Sequence, residues 1–304
     1  MLLRTAWLTQ IAEQLFKDNS FLVKAINWDE YVVAGIKTVV IPQSGVGSEV
    51  VRNRTVFPAV PVERVDSDIS FDMVDYTSTP RRVRKLQQKQ YSYDYRGSVI
   101  SQDMAIASEM AAEDVLYSWR AELAKFILKT TGGNVNASAN STATGQRKGA
   151  TLHDFLVADK IMTDAIIPKV GRQAMITGQM KMDLLEDPAI KGTFVFTQLA
   201  NYKEGEIMRI AGFDVEVRPT VQIWNADGTV AKLPGAADAT TDCEAAAFWH
   251  PNFVGRSVGN MDAFYNPDRA EHYGDLLSFE LQAGGTKRYA NGRGVLSLVQ
   301  AQAS

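Results

Sequence analysis

The chain has 304 residues, 45% of them hydrophobic and 22% charged, and its 32 basic against 35 acidic side chains leave a net charge of −3. That length holds one large domain or two modest ones with ample core, and the acidic balance argues against a dedicated nucleic-acid binder, which carries a basic excess. The single cysteine, Cys243, excludes an intrachain disulfide and fits a reducing compartment; no signal-peptide pattern and no apolar run of membrane-spanning length is present.

Thr5 to Phe16 place Trp7, Ile11, Leu15 and Phe16 near helical spacing, a short amphipathic piece that needs another surface to dock on. Thr38 to Pro42 (TVVIP) reads as a strand, Gln43 to Gly47 as a turn, and Ser48 to Thr79 as a long extended region. Within that region Ile69, Phe71 and Met73 alternate with Asp68, Ser70 and Asp72, while Pro58 and Pro61 suit an edge or a hairpin tip. A protruding hairpin of this size does not support itself and needs a surface, such as another subunit. Arg81, Arg82, Arg84, Lys85 and Lys89 precede Tyr91, Tyr93 and Tyr95, which alternate as in a strand. Five basic residues in an acidic chain favour a solvated or subunit-bridging strand over a nucleic-acid patch.

The organising stretch is Ser98 to Gly133. Ser101 suits a helix N-cap, Leu116, Trp119, Leu123, Phe126 and Ile127 form one apolar stripe, and Gly132-Gly133 supplies a stop. The spacing predicts a helix of about 45 Å. Gly132 to Gly149 is small and polar, a linker or mobile loop. Leu152 to Ile166 reads as a helix capped by Thr151, although Asp159 falls on its apolar face. A short buried strand at Arg172 to Gly178, a short helix stopped before Pro188 and two strands about Ala211-Gly212 follow. The tail adds AAAFWHP (Ala245 to Pro251) and a hairpin-like pair of strands around Gly284-Gly285 and Asn291-Gly292.

Chemistry is harder to find. His153, His250 and His272 lie far apart with no metal-type spacing, and His250 in FWHP reads as a packed residue. Gly45-Val46-Gly47 lacks the residues of a phosphate loop, Ala283 to Lys287 reads as a turn, and no nucleophile elbow occurs. Asp183, Glu186 and Asp187 are explained by a solvated helix face. No catalytic residue, cofactor or metal ligand is assigned, and the expectation is a protein that is not an enzyme.

Four stretches in order, TPRRVRKLQQKQYSYDYRGSVI, RQAMITGQMKMDLLEDPAIKGTFVF, KEGEIMRIAGFDVEVRPTV and AAAFWHPNFVGRS with the late segment Gly284 to Val295, resemble the tailed-bacteriophage major capsid protein, whose fold encapsulins share. The third stretch is similar to that family's glycine-punctuated hairpin, here at Gly205, Ile207, Gly212, Phe213 and Val215. The resemblance implies an α+β fold with an N-terminal arm at 1–27, an extended β-loop at 43–80 and a mobile loop at 132–149. It places a peripheral domain with a long spine helix at 28–42, 81–131 and 261–304, and an axial α/β domain at 150–260. It also implies a structural virion protein, assembled in the host cytoplasm as hexamers and pentamers of an icosahedral head around double-stranded DNA contacted non-specifically. Its partners would be itself and scaffolding, portal and decoration proteins, with no membrane. The alternatives are an encapsulin-type shell around an enzyme cargo, or a cytosolic two-domain enzyme.

Under this reading Arg52, Arg54, Asp68, Asp72, Arg81, Arg82, Arg84 and Lys85 are candidates for subunit contacts, since alternating charges register neighbours while burying little area. Leu116, Trp119, Leu123 and Phe126 would be the spine-helix core. Some family members cross-link through a lysine in the extended loop; residues 43–84 contain none. The chain starts at Met1 directly with the expected arm, so scaffolding is expected from another protein.

Overall fold

The computed structural model describes residues 20–33, 36–45, 49–55, 57–58, 61, 63–84, 95–191, 200–201, 206–207 and 209–303. The first strands are β1 (Ile26–Asn27), β2 (Thr38–Gln43), β3 (Ser67–Asp72), β4 (Val74–Thr77) and β5 (Arg81–Arg84), followed by helix α1 (Tyr95–Ser118). Next come β6 (Ile127–Lys129), β7 (Asn134–Asn136), β8 (Gln146–Lys148), α2 (Leu152–Asp164), β9 (Gln173–Ile176), α3 (Gly178–Glu186) and α4 (Pro188–Lys191). Short strands β10 (Ala200–Asn201), β11 (Glu206–Ile207), β12 (Arg209–Ile210), β13 (Phe213–Val217) and β14 (Gln222–Trp224) lead to β15 (Cys243–Trp249). The chain closes with β16 (Val254–Arg269), β17 (Gly274–Lys287) and β18 (Val295–Val299).

Two larger sheets share α1. One has the order β1-β16-β17-β4, with β5 also on β17; the other runs β12-β13-β9-β15-β18-β6, with β14 on β15. The period of two explains the second sheet. Ala174, Ile176, Ala246, Phe248, Leu296 and Leu298 face α2 and α3, meeting Phe155, Met162, Met180 and Leu184. Met175, Ala247, Trp249 and Val295 face the other way and meet Ala112, Val115, Leu116 and Trp119 at the end of α1. Because β15 is covered on both faces it is buried at every position, hence its continuous apolar text. Further along α1, Met104 and Ala111 pack on Leu281 and Ala283 of the first sheet.

The helix is shorter than its sequence predicts. Its 24 residues span about 36 Å and stop at Ser118, well before the Gly132-Gly133 pair. The last-turn carbonyls find one distant donor and two local ones. Gln222 donates to the Leu116 carbonyl at 2.9 Å, Arg120 donates to that of Tyr117 through backbone and guanidinium, and Ser118 Oγ donates to Val115 at 2.6 Å. With those groups satisfied, no glycine is needed, and the backbone crosses to the second sheet, where Ala121 N–H meets Ser297 Oγ at 3.2 Å. Trp119 and Phe126 are buried outside the helix, Ile127 opens β6, and Leu123 is 42% exposed, so the expected stripe ends at Leu116. Ser101 lies inside α1 and not at its start, and Tyr95 begins the helix instead of ending a strand. Tyr91, Tyr93 and Lys89 fall outside the described residues.

Other expectations change for equally physical reasons. Gly284-Gly285 is no turn: both sit inside β17, which pairs with β16 in a long hairpin. A Cβ on Gly285 would stand 2.7 Å from the Gly255 carbonyl and 3.0 Å from Val115, so the glycine lets α1 lie close on the sheet. The polar segment 132–149 folds as the β7–β8 hairpin instead of a structureless loop. The drawn boundaries cut across the sheets: β6 and β18, assigned to the peripheral part, belong to the second sheet, while the start of β16, assigned to the axial part, belongs to the first. The arm assigned to 1–27 is docked on its own chain from residue 20 onward. Phe21 and Leu22 are buried beside Trp119 and Trp249, β1 pairs with β16, and the Lys24 carbonyl accepts from Trp249 Nε1 at 3.1 Å. Residues 1–19 lie outside the described residues.

Candidate assembly surfaces

The extended region is a two-stranded hairpin with a built root and a bare tip. β2 pairs antiparallel with β3 from Thr38↔Asp72 to Gln43↔Ser67. At its root Val39, Ile41 and Met73 close a small core with Trp28, whose ring lies so near Gly255 that any Cβ there would meet it at 2.4 Å. The expected absence of any cover therefore applies only to the outer part. There Val50, Phe57 and Val65 are 93%, 75% and 82% exposed. Gly45 N–H donates to Asp66 at 2.8 Å, and Arg64 pairs with the same carboxylate at 2.6 Å, which lowers its pKa from the ordinary aspartate value. β4, drawn as part of the loop, is paired with β17.

Arg52, Arg54, Asp68, Asp72, Arg81, Arg82 and Arg84 are all exposed, and Lys85 lies outside the described residues. The candidates divide into two sets. Arg52, Arg54, Asp68 and Asp72 belong to the hairpin, with Asp72 accepting from Thr38 Oγ1 at 2.6 Å. The three arginines line β5 on the first sheet. Arg81 pairs with Asp103 of α1 at 2.8 Å, and Arg82 donates to the His272 carbonyl at 3.3 Å. Arg81 is thus partly committed to holding β5 against the helix. Exposed pairs of this kind contribute about 0–1 kcal/mol, so these charges register contacts more than they stabilise the subunit.

The buried charges were less visible in sequence. Arg172 is fully buried; it donates to the Ile167 carbonyl at 2.6 Å and the Pro168 carbonyl at 2.9 Å, and pairs with Asp159. The carboxylate that interrupts the apolar face of α2 is therefore the counter-ion of a clamp joining that helix to β9. Arg147 lies buried in the β7–β8 hairpin, donating to the Thr240 and Asp242 carbonyls at 3.2 Å. The Asp242 side chain accepts from Lys232 at 2.7 Å and Asn140 at 2.8 Å, tying the hairpin to the segment before β15. Asp183, read as solvated, is buried and accepts from Gln179 at 2.8 Å and Ala150 N–H at 3.2 Å; burial raises its pKa. Asp187 accepts from Leu152 N–H at 2.8 Å, so it fixes the start of α2.

His250 is a packed residue: its Nδ1 accepts from Asn252 N–H at 3.2 Å, which leaves the proton on Nε2 facing the Val170 carbonyl at 3.1 Å. Burial lowers its pKa and keeps it neutral. Among the described residues no cluster of three histidine, cysteine or acidic side chains is placed to hold a metal, and no helix is long and apolar enough to cross a membrane.

No known family profile and no curated relative matches the chain by sequence. Solved structures match its shape. The capsid of cyanophage P-SCSP1u aligns over 92% of this chain and 87% of its own, with a TM-score of 0.64 at 14% identity. The capsid of Ralstonia phage GP4 aligns over 92% and 88%, with a TM-score of 0.61 at 13% identity. A virus-like particle from Pyrococcus furiosus aligns over 97% of each chain, with a TM-score of 0.54 at 10% identity.

Proposed function

We propose that this chain, which has the tailed-phage capsid fold over nearly its whole length, is a capsid shell subunit that assembles into the hexamers and pentamers of an icosahedral head enclosing double-stranded DNA. The observation that carries the reading is the likeness in shape to phage capsids across more than nine-tenths of the chain. The physical support is the exposed apolar tip of the β2–β3 hairpin, which its own subunit leaves uncovered. In a closed shell each tip lies on the next subunit, and the exposed arginines and aspartates at its flanks set the register. The role is structural, without catalysis. Scaffolding, portal and decoration proteins are its expected partners in the host cytoplasm, and the virion its destination.

A second reading, a shell around an enzyme cargo, draws on the likeness to the Pyrococcus furiosus particle. Sedimentation velocity of the purified full chain tests both: a shift from the 33.5 kDa monomer to rings or shells is expected. Nucleic acid in particles from infected cells supports the first reading, and a co-purifying enzyme the second. A compact monomer at every concentration and salt refutes both.

A further inference from the structure

Gln300 is 1% exposed, and only one end of its amide is satisfied. Its Nε2 donates to Glu244 Oε1 at 3.1 Å, while its Oε1 is buried without a donor. Turning the amide over sets two acceptors against each other, so neither orientation completes it beside an ionised carboxylate. A protonated carboxyl does complete it: one oxygen accepts from Nε2, and the other carries the O–H that Oε1 lacks. Glu244 lies on β15 at 5% exposure, too deep for bulk solvent to supply that donor.

We infer that Glu244 and Gln300 form a proton-operated latch: the protonated carboxyl donates to Gln300 Oε1, and its ionisation removes that donor and loosens residues 300–303. Those residues bridge β15 and the β7–β8 hairpin. Gln300 N–H donates to the Glu244 carbonyl at 3.0 Å, Lys148 N–H to that of Ala301 at 2.8 Å, and Ala303 N–H to that of Gln146 at 3.2 Å. Thr177 at the start of α3 and Ser138 in the hairpin donate to the same carboxyl. Burial and, after it, the like charge of Asp183 on α3 favour the protonated form. Lys181 and Glu186 lie on the same helix, and Arg147 and Lys148 on the hairpin, where Arg147 is committed to the Thr240 and Asp242 carbonyls. β9, β14 and β18 carry no charged side chain. The folded state holds this proton more tightly than the unfolded one, so the latch is closed in acid and opens as pH rises above the ordinary glutamate value of about 4.3. The inference holds whether or not the chain forms a shell.

Hydrogen exchange of the unassembled full chain, read in peptides covering 146–148 and 300–303, tests the latch against Glu244→Gln. The glutamine gives Gln300 Oε1 a permanent N–H donor, so its latch does not titrate. Comparing the two proteins at each pH cancels both the intrinsic pH dependence of exchange and any titration of Asp183. The parent should exchange these amides within about twofold of the variant's rate at about pH 4.5, and at least about tenfold faster at about pH 8. A ratio that stays constant over that range would overturn the inference. Should the variant fail to fold, the parent decides alone. Corrected for intrinsic rates, protection of these peptides should fall at least about tenfold over the same range, while that of the β16–β17 hairpin holds within about twofold. No fall, or one shared equally by both regions, would overturn the inference as well.

Discussion

Truncating Trp119 to alanine removes the side chain that joins the end of α1 to both sheets. The indole is buried, its ring centroid 5.6 Å from Trp249 and 5.9 Å from Phe21, and its Nε1 donates to the Gly255 carbonyl at 3.2 Å. Loss of a core aromatic costs about 3–5 kcal/mol. The aromatic contacts, roughly 0.5–1.5 kcal/mol each, and the lost indole hydrogen bond place this case in the upper part of that range. An unfolding entropy of about 2.1 cal/mol/K per residue then converts 4–5 kcal/mol into a fall in Tm of about 6–8 °C for the 304-residue subunit. Thermal unfolding of unassembled subunits by circular dichroism reads this directly. Arg120→Ala is the control: it loses a partly exposed pair with Glu122 at 3.0 Å, a cation–π contact with Tyr117 at 4.1 Å and the guanidinium bond to the Tyr117 carbonyl, which the backbone N–H of residue 120 still satisfies, about 1 kcal/mol in all. A Trp119→Ala subunit melting within about 1 °C of the parent would refute the packing account.

Arg172→Met should cost about 3 kcal/mol or more, because it strips the counter-ion from Asp159 and a donor from three carbonyls; a denaturation midpoint matching the parent would contradict the clamp. Arg172→Lys should recover only part of the loss, since an ammonium lacks the guanidinium fork. Glu244 is buried, accepts from Gln300 at 3.1 Å and has its pKa raised chiefly by burial. The folded state thus binds this proton more tightly than the unfolded one, and stability falls as pH rises from about 4 upward. Glu244→Gln should therefore flatten that slope; urea midpoints showing the same slope in both proteins would contradict it. Particles should collapse to a single band near 33.5 kDa on denaturing gels without reductant, because Cys243 is buried and residues 43–84 hold no lysine; a surviving ladder would refute a non-covalent shell.

Local signals that act within one element were legible. Thr151 forms a capping box with Asp154, the apolar alternation of Ile69, Phe71 and Met73 lies along the hairpin, and the run Ala245 to Trp249 is a strand buried on both faces. Signals that depend on distant partners were not. One of the donors that close the end of α1 is Gln222, about a hundred residues away, and that contact carries no mark in the helix's own text. Gly284-Gly285 looks like a turn because the sequence does not reveal that α1 presses on that strand. Asp159 looked like a defect in an apolar face until Arg172 supplied its counter-ion. Exposure of the hairpin arginines was readable, but which of them meets a neighbour depends on a surface that one chain does not contain.

The central claim is that this chain builds a closed shell, and negative-stain electron microscopy of the purified full-length protein tests it most directly. The account predicts closed particles, or rings of five and six subunits, in preparations that also sediment far above the monomer. Fields containing only compact monomers, at high concentration and in both low and high salt, would contradict it.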